Sequence, residues 1–97
     1  MVYLKDWIGK ALRRYKRSNV FVHFHPHAEM RIPAREINID WVVETVRNGN
    51  VLEKKSIYPD RIAFSHFFKE GYSYVVITKL FPNSLQVVTV WKKKGRV

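Results

Sequence analysis

The chain has 97 residues, enough for one domain with one modest hydrophobic core and too few for two. Its hydrophobic fraction of 46% and aromatic fraction of 14% exclude bulk disorder, and the absence of cysteine excludes disulfide scaffolds, thiolate metal sites and cysteine nucleophiles. The formal charge of +10 is unevenly placed: residues 1–18 carry a local +5, residues 92–97 a local +4, and the long middle stretch only +1. A polyanionic partner explains two basic patches on a near-neutral body, and nucleic acid is the commonest. Mere solubility and an anionic membrane surface are the competing readings. No apolar run approaches the ~20 residues of a membrane span, and Lys5, Asp6 and Lys10 interrupt any signal-peptide core, so a cytoplasmic location is the expectation.

In chain order, residues 3–17 read as a basic amphipathic helix. Leu4, Ile8, Ala11, Leu12 and Tyr15 make its apolar stripe, with Lys10, Arg13, Arg14 and Arg17 lying away from it. These four cations and Lys92, Lys93 and Lys94 of a C-terminal tail are the expected phosphate contacts. Residues 20–24 form a short β-prone run, broken at His25-Pro26. Pro26 suits the first turn of a helix over residues 27–32, which Pro33 is expected to kink or stop near Ile32. Asn38 reads as an N-cap for a helix over residues 39–47, with Gly49 expected to take a positive φ at its end. From residue 51 the period becomes two. Strands are expected over 51–57, 61–68, 72–81 and 85–91, joined by short turns into an antiparallel meander. The fold class is therefore α+β, with N-terminal helices on one face of a three- to five-stranded twisted antiparallel sheet and residues 93–97 as a basic tail.

Three constellations can carry chemistry. His23, His25 and His27 alternate along an extended segment and can converge on a metal, although Pro26 interrupts the strand before His27. Solvent-facing rings are the plainer reading, and no metal or other cofactor is assigned. His27, Arg31 and Arg35 are spaced four and four, which puts them on one helical face. An imidazole that moves a proton beside guanidinium groups that hold a phosphate suits attack of a ribose 2′-hydroxyl on its own phosphodiester, without a metal. The alternative is that both arginines pair with Glu29, Glu36 or Glu44. The third set is Arg61, His66, Tyr72, Tyr74, Lys79, Thr89 and Trp91 on the strands, of which Arg61 and Tyr74 are added to the expected catalytic group. Core and rim packing is the competing role for its aromatic members. There is no glycine-rich phosphate loop and no close acidic pair.

The run His27-Ala28-Glu29-Met30-Arg31-Ile32-Pro33-Ala34-Arg35-Glu36-Ile37, continued through Val42, Val46 and Gly49 and ending in Val87-Val88-Thr89-Val90-Trp91, resembles the family of domain of unknown function 4258 over residues 22–92. Residues 1–19 lie outside the resemblance as an added basic helix. That family is similar to the barnase–EndoU–colicin–RelE fold group, many of whose members are metal-independent ribonucleases or toxins. The resemblance implies RNA cleavage through a 2′,3′-cyclic phosphate, with His27 as general base or acid, Arg31 as phosphate clamp and Arg35 behind it. It also implies an acidic antitoxin as protein partner, with RNA preferred over DNA. A non-catalytic nucleic-acid-binding protein and an interaction module of a mobile element are the other two readings; oligomeric state is left open.

Overall fold

The computed structural model describes residues 6–97. Helix α1 (Asp6–Leu12) is followed by a single 3-10 turn at Arg17–Asn19, strand β1 (Phe21–Phe24) and helices α2 (Pro26–Ala34) and α3 (Ile39–Asn48). The remaining chain is a four-strand meander: β2 (Asn50–Ile57), β3 (Arg61–Phe67), β4 (Tyr72–Phe81) and β5 (Ser84–Lys94). The five strands form one sheet in the order β1-β5-β4-β3-β2. No helix among the described residues is long and apolar enough to cross a membrane.

The sheet is mixed. β2 to β5 pair antiparallel as expected, but β1 runs parallel to β5, with Phe21 opposite Ser84 and Phe24 opposite Val87. A four-residue strand isolated between helices has no hairpin partner to fix its direction. It docks on the exposed β5 edge of the meander, where Val22 and Phe24 pack against the core. The continuous helix expected to reach residue 17 ends at Leu12, and its first residues, 3–5, lie outside the described residues.

The core lies between the helices and one face of the sheet. Ile8 of α1, Ala28 and Ile32 of α2, and Val42 and Val46 of α3 meet Ile62, Phe64, Val76, Leu85, Val87 and Val90 of the sheet. This follows from period: positions 42 and 46 share one helical face, while 62 and 64, or 85 and 87, share one strand face. Val75 and Val76 are both buried, as the absence of a polar face on that strand requires. On the sheet face turned away from this core, Trp91 carries the ammonium of Lys55 at 5.6 Å, and Phe67 carries the guanidinium of Arg96 at 4.1 Å.

Pro33 does not end α2. As its penultimate residue, it leaves free only the carbonyl of exposed Glu29, which water can satisfy. The helix closes one residue later, on Arg35, with paired bonds from the Glu36 N–H to the Pro33 carbonyl (3.1 Å) and from the Ile37 N–H to the Ile32 carbonyl (3.1 Å). This is a Schellman ending with Glu36 in the left-handed position at φ 55°, and buried Ile32 and Ile37 supply its apolar contact.

The α3 boundaries follow the sequence closely. Asn38 accepts from the N–H groups of Asp40 (2.9 Å) and Trp41 (3.3 Å) as an N-cap. Gly49 ends the helix in an extended conformation, φ −77°, rather than at the positive φ expected of it. Its glycine is required by space: a Cβ there would lie 2.5 Å from the carbonyl oxygens of both Ser65 and Thr45.

Candidate functional site

α2 begins where β1 runs out. His25 continues the β1 ladder by donating its N–H to the Val87 carbonyl (2.9 Å), then turns the chain as the N-cap of α2. Its Nδ1 accepts from the His27 N–H at 3.0 Å, and Pro26 takes the first helical position. From this fixed start the helix carries His27 and Arg31 one turn apart on its exposed side, while Ala28 and Ile32 face the core. The Arg31 Nη2 lies 3.4 Å from the His27 Nε2. An arginine nitrogen only donates, so in this contact Nε2 is the ring's acceptor and its lone pair is directed at the guanidinium.

Arg35 is the C-cap residue of α2, and its Nη1 donates to the Val90 carbonyl at 2.8 Å. That carbonyl lies on the edge of β5 beyond the reach of β1, so the bond closes an open sheet edge and fixes the guanidinium. Between this arginine and His27 lies a half-open cleft of about 160 Å³, lined by His27, Ala28, Arg31 and Arg35 from the helix and Val88, Thr89 and Val90 from the strand. No acidic residue lines it. At roughly 30 Å³ per water, the space suits a phosphate group with part of its sugar, not a whole dinucleotide.

The strand wall has a local irregularity that the sequence does not signal. Ile77 pairs with Thr89 and Thr78 pairs with Val87, leaving Val88 as an extra residue in β5. Such a bulge bends its strand and re-aims the neighbouring side chains. It is centred on the residues that face α2.

The other expected site residues go elsewhere. Tyr74 is only 2% exposed and belongs to the core; its hydroxyl accepts from the Asn38 N–H at 2.9 Å, so it positions the start of α3 and does not reach the cleft. Arg61 opens β3, opposite Lys79 of β4, and does not line the cleft. The reason is common to both. Alternation along a strand assigns residues to two faces but does not say which face the helices cover.

Arg17 is not a free phosphate contact. Its Nε donates to the Val46 carbonyl at 2.9 Å, its Nη2 donates to the Gly49 carbonyl, and its guanidinium lies 4.6 Å over the Phe64 ring. Burial pushes its pKa below the usual arginine value. Lys10, Arg13 and Arg14 are exposed. Lys92, Lys93 and Lys94 are not a tail but the end of β5, opposite Tyr74, Ser73 and Tyr72. Lys92 donates to the Glu36 carbonyl at 3.1 Å and lies over the Tyr72 ring, whereas Lys93 and Lys94 are exposed.

The three N-terminal histidines do not converge. His23 Nε2 is hydrogen-bonded to Ser84 Oγ at 2.8 Å within an aromatic group with Phe21 and Phe81, while His25 caps α2. Among the described residues no group of three His, Cys, Asp or Glu side chains is placed to hold a metal ion.

The family described as Domain of unknown function (DUF4258) matches residues 24–92. The chain belongs to the DUF4258 family. The match begins at the last residue of β1 and covers α2, α3 and the meander through Lys92, so both walls of the cleft lie inside the DUF4258 domain, while α1 lies outside it. Neither a curated protein nor a solved structure matches the chain.

Proposed function

We propose that this protein binds RNA and cleaves it without a metal, as a ribonuclease or toxin-like member of the barnase–EndoU–colicin–RelE fold group. The observation that carries the reading is the shared cleft: an imidazole and two guanidinium groups face one phosphate-sized space with no carboxylate in its lining.

In the reaction, a phosphodiester sits in the cleft with its non-bridging oxygens toward Arg31 and Arg35. Arriving phosphate draws Arg31 away from His27. His27 Nε2 then takes the proton of the adjacent 2′-hydroxyl. The 2′-oxygen bonds to phosphorus, the bond to the 5′-oxygen breaks, and the leaving 5′-oxygen takes a proton from the imidazolium or from water. Products are a 2′,3′-cyclic phosphate and a 5′-hydroxyl. The guanidinium groups stabilise the negative charge that builds on the equatorial oxygens, and Arg35 is pre-positioned for this by its bond to Val90. An acidic protein covering the cleft would serve as the neutralising antitoxin.

The test is cleavage of labelled RNA in EDTA. Wild-type protein should cut, and His27→Ala should cut about 10²–10⁴-fold more slowly while remaining folded, because a general base contributes that range. Equal rates in the two proteins would remove His27 from the mechanism. Binding by both without cleavage would leave the second reading, a non-catalytic nucleic-acid-binding protein. That reading is favoured by the exposed Lys93 and Lys94, which extend the same strand that walls the cleft.

A further inference from the structure

A second and larger cavity, about 570 Å³, lies between α1 and the turn joining β2 to β3. It is a shallow groove open to solvent, more exposed than the α2–β5 cleft and wide enough for a planar ring to lie in. β2 is the edge strand at the opposite end of the sheet from β1, beside which α2 begins, so this cavity and the α2–β5 cleft are well separated.

Its walls combine aromatic surface with positive charge. Tyr58 stands at the turn with 70% of its surface exposed, so its ring is accessible from solvent. Trp7 of α1 meets it edge-on, with ring centroids 5.6 Å apart and planes at 88°. That contact steadies the tyrosine from one side and leaves most of the ring open. Lys10 and Arg14 line the same cavity, four residues apart along one side of the α1 region, and both are exposed. Asp6 is on the rim as well, so the rim carries two positive charges and one negative.

We infer that this cavity is a stacking subsite for an unpaired nucleobase, in which the base lies against Tyr58 and the adjoining phosphate is held by Lys10 and Arg14. A flat open ring beside cations is what single-strand binding uses: the ring takes any base and the cations follow the backbone. The inference rests on the reading that the partner is single-stranded RNA, but not on any chemistry at His27. It gives α1, which lies outside the matched family segment, a role in holding RNA that the cleft alone is too small to hold.

The test compares binding of a fluorescent 2′-O-methyl hexanucleotide, which has no free 2′-hydroxyl and so is not cut, with that of an abasic 2′-O-methyl strand of the same length, by anisotropy, in EDTA at low salt. Wild-type protein should prefer the strand with bases. Tyr58→Ala should weaken RNA binding about 5- to 150-fold, the range for losing one stacked base, and should lose the preference, while Tyr58→Phe should keep both. Lys10→Gln with Arg14→Gln should weaken both strands alike and flatten the salt dependence by about one unit per lost phosphate contact. Asp6→Asn should tighten both. Folding of each variant is checked by circular dichroism. If Tyr58→Ala does not fold, wild type with no preference for bases, or the paired cation variant with unchanged binding, overturns the inference. A folded Tyr58→Ala that keeps wild-type preference also overturns it. RNA cleavage lost in His27→Ala would stand regardless of these outcomes, and base-dependent binding at Tyr58 would stand even if no cleavage occurred.

Discussion

Two arginine-bearing regions of this small domain show how context decides what a cation is for. Arg17 lies in the 3-10 turn after α1, half-buried over Phe64, with its donors spent on backbone carbonyls at the end of α3. Arg31 lies on the open side of α2, and among the described residues its side chain has one hydrogen-bond partner, His27, at the long distance of 3.4 Å. In linear sequence the two are equivalent: each is a basic residue near a predicted helix face with an apolar stripe beside it. Folding makes one a tie between the 3-10 turn and α3 and leaves the other available for a ligand. Arg47, which donates twice to the Val20 carbonyl from Nε (3.1 Å) and Nη2 (3.0 Å), belongs with Arg17. Arg35 sits between the two kinds, with one nitrogen committed to Val90 and the rest of its guanidinium turned toward the cleft.

Substitutions should separate these regions cleanly. The largest effect is expected at the cleft. Arg31→Ala should lower the rate of RNA cleavage about 10²–10³-fold, the range for losing one donor to a developing oxyanion, with a thermal midpoint close to wild type. Arg31→Lys should recover only part of that rate, since an ammonium keeps the charge but not the paired donors. Arg17→Ala should do the opposite. Two buried carbonyls lose a charged donor and Phe64 loses its cover, so about 2–3 kcal/mol of stability should go, seen as a fall in the thermal midpoint on the order of 10–20 °C. Cleavage per folded molecule should stay near wild type. A cleft defect in folded Arg17→Ala, or a large stability loss in Arg31→Ala, would break the distinction.

The smallest effect concerns Tyr15, just beyond α1, whose hydroxyl donates to the Phe81 carbonyl. Burial raises its pKa above the ordinary value of 10.0, with the neighbouring Arg14 cation acting in the opposite direction. A raised native value means that the folded state holds the proton more tightly than the unfolded state. Its contribution to stability is complete below pH 10.0 and is lost as the pH rises above it. Tyr15→Phe should therefore be slightly less stable at neutral pH, and its deficit should shrink in denaturant titrations carried above pH 10.0.

The parts of this molecule governed by local chemistry could be read in advance. Asn38 as a cap, Pro26 as a helix opener, the four meander strands and the four-residue spacing of His27, Arg31 and Arg35 all depend on residues within a few positions of one another. What could not be read depends on distant partners. The direction of β1 depends on its pairing with β5, a strand more than 60 positions later in the chain. The placement of Tyr74 depends on which sheet face the helices cover, and the role of Arg17 depends on where α3 ends. The Val88 bulge, which shapes one wall of the cleft, has no glycine or proline to announce it, because β5 forms it from a run of residues that all favour strands. Gly49 shows the same limit in reverse. Its type suggested a backbone angle, and the real reason is a carbonyl of Ser65 on a strand 16 positions later.

The most direct test of the cleft as a phosphodiester-cleaving site is product analysis on an RNA oligonucleotide whose preferred cutting position carries a single 2′-deoxy substitution. The unmodified strand incubated with wild-type protein in EDTA should give fragments ending in a 2′,3′-cyclic phosphate, identified by mass. The substituted strand should bind equally well and remain uncut at that position. Cutting there despite the missing hydroxyl, or loss of all cutting when EDTA is present, would contradict attack by a ribose oxygen activated by His27.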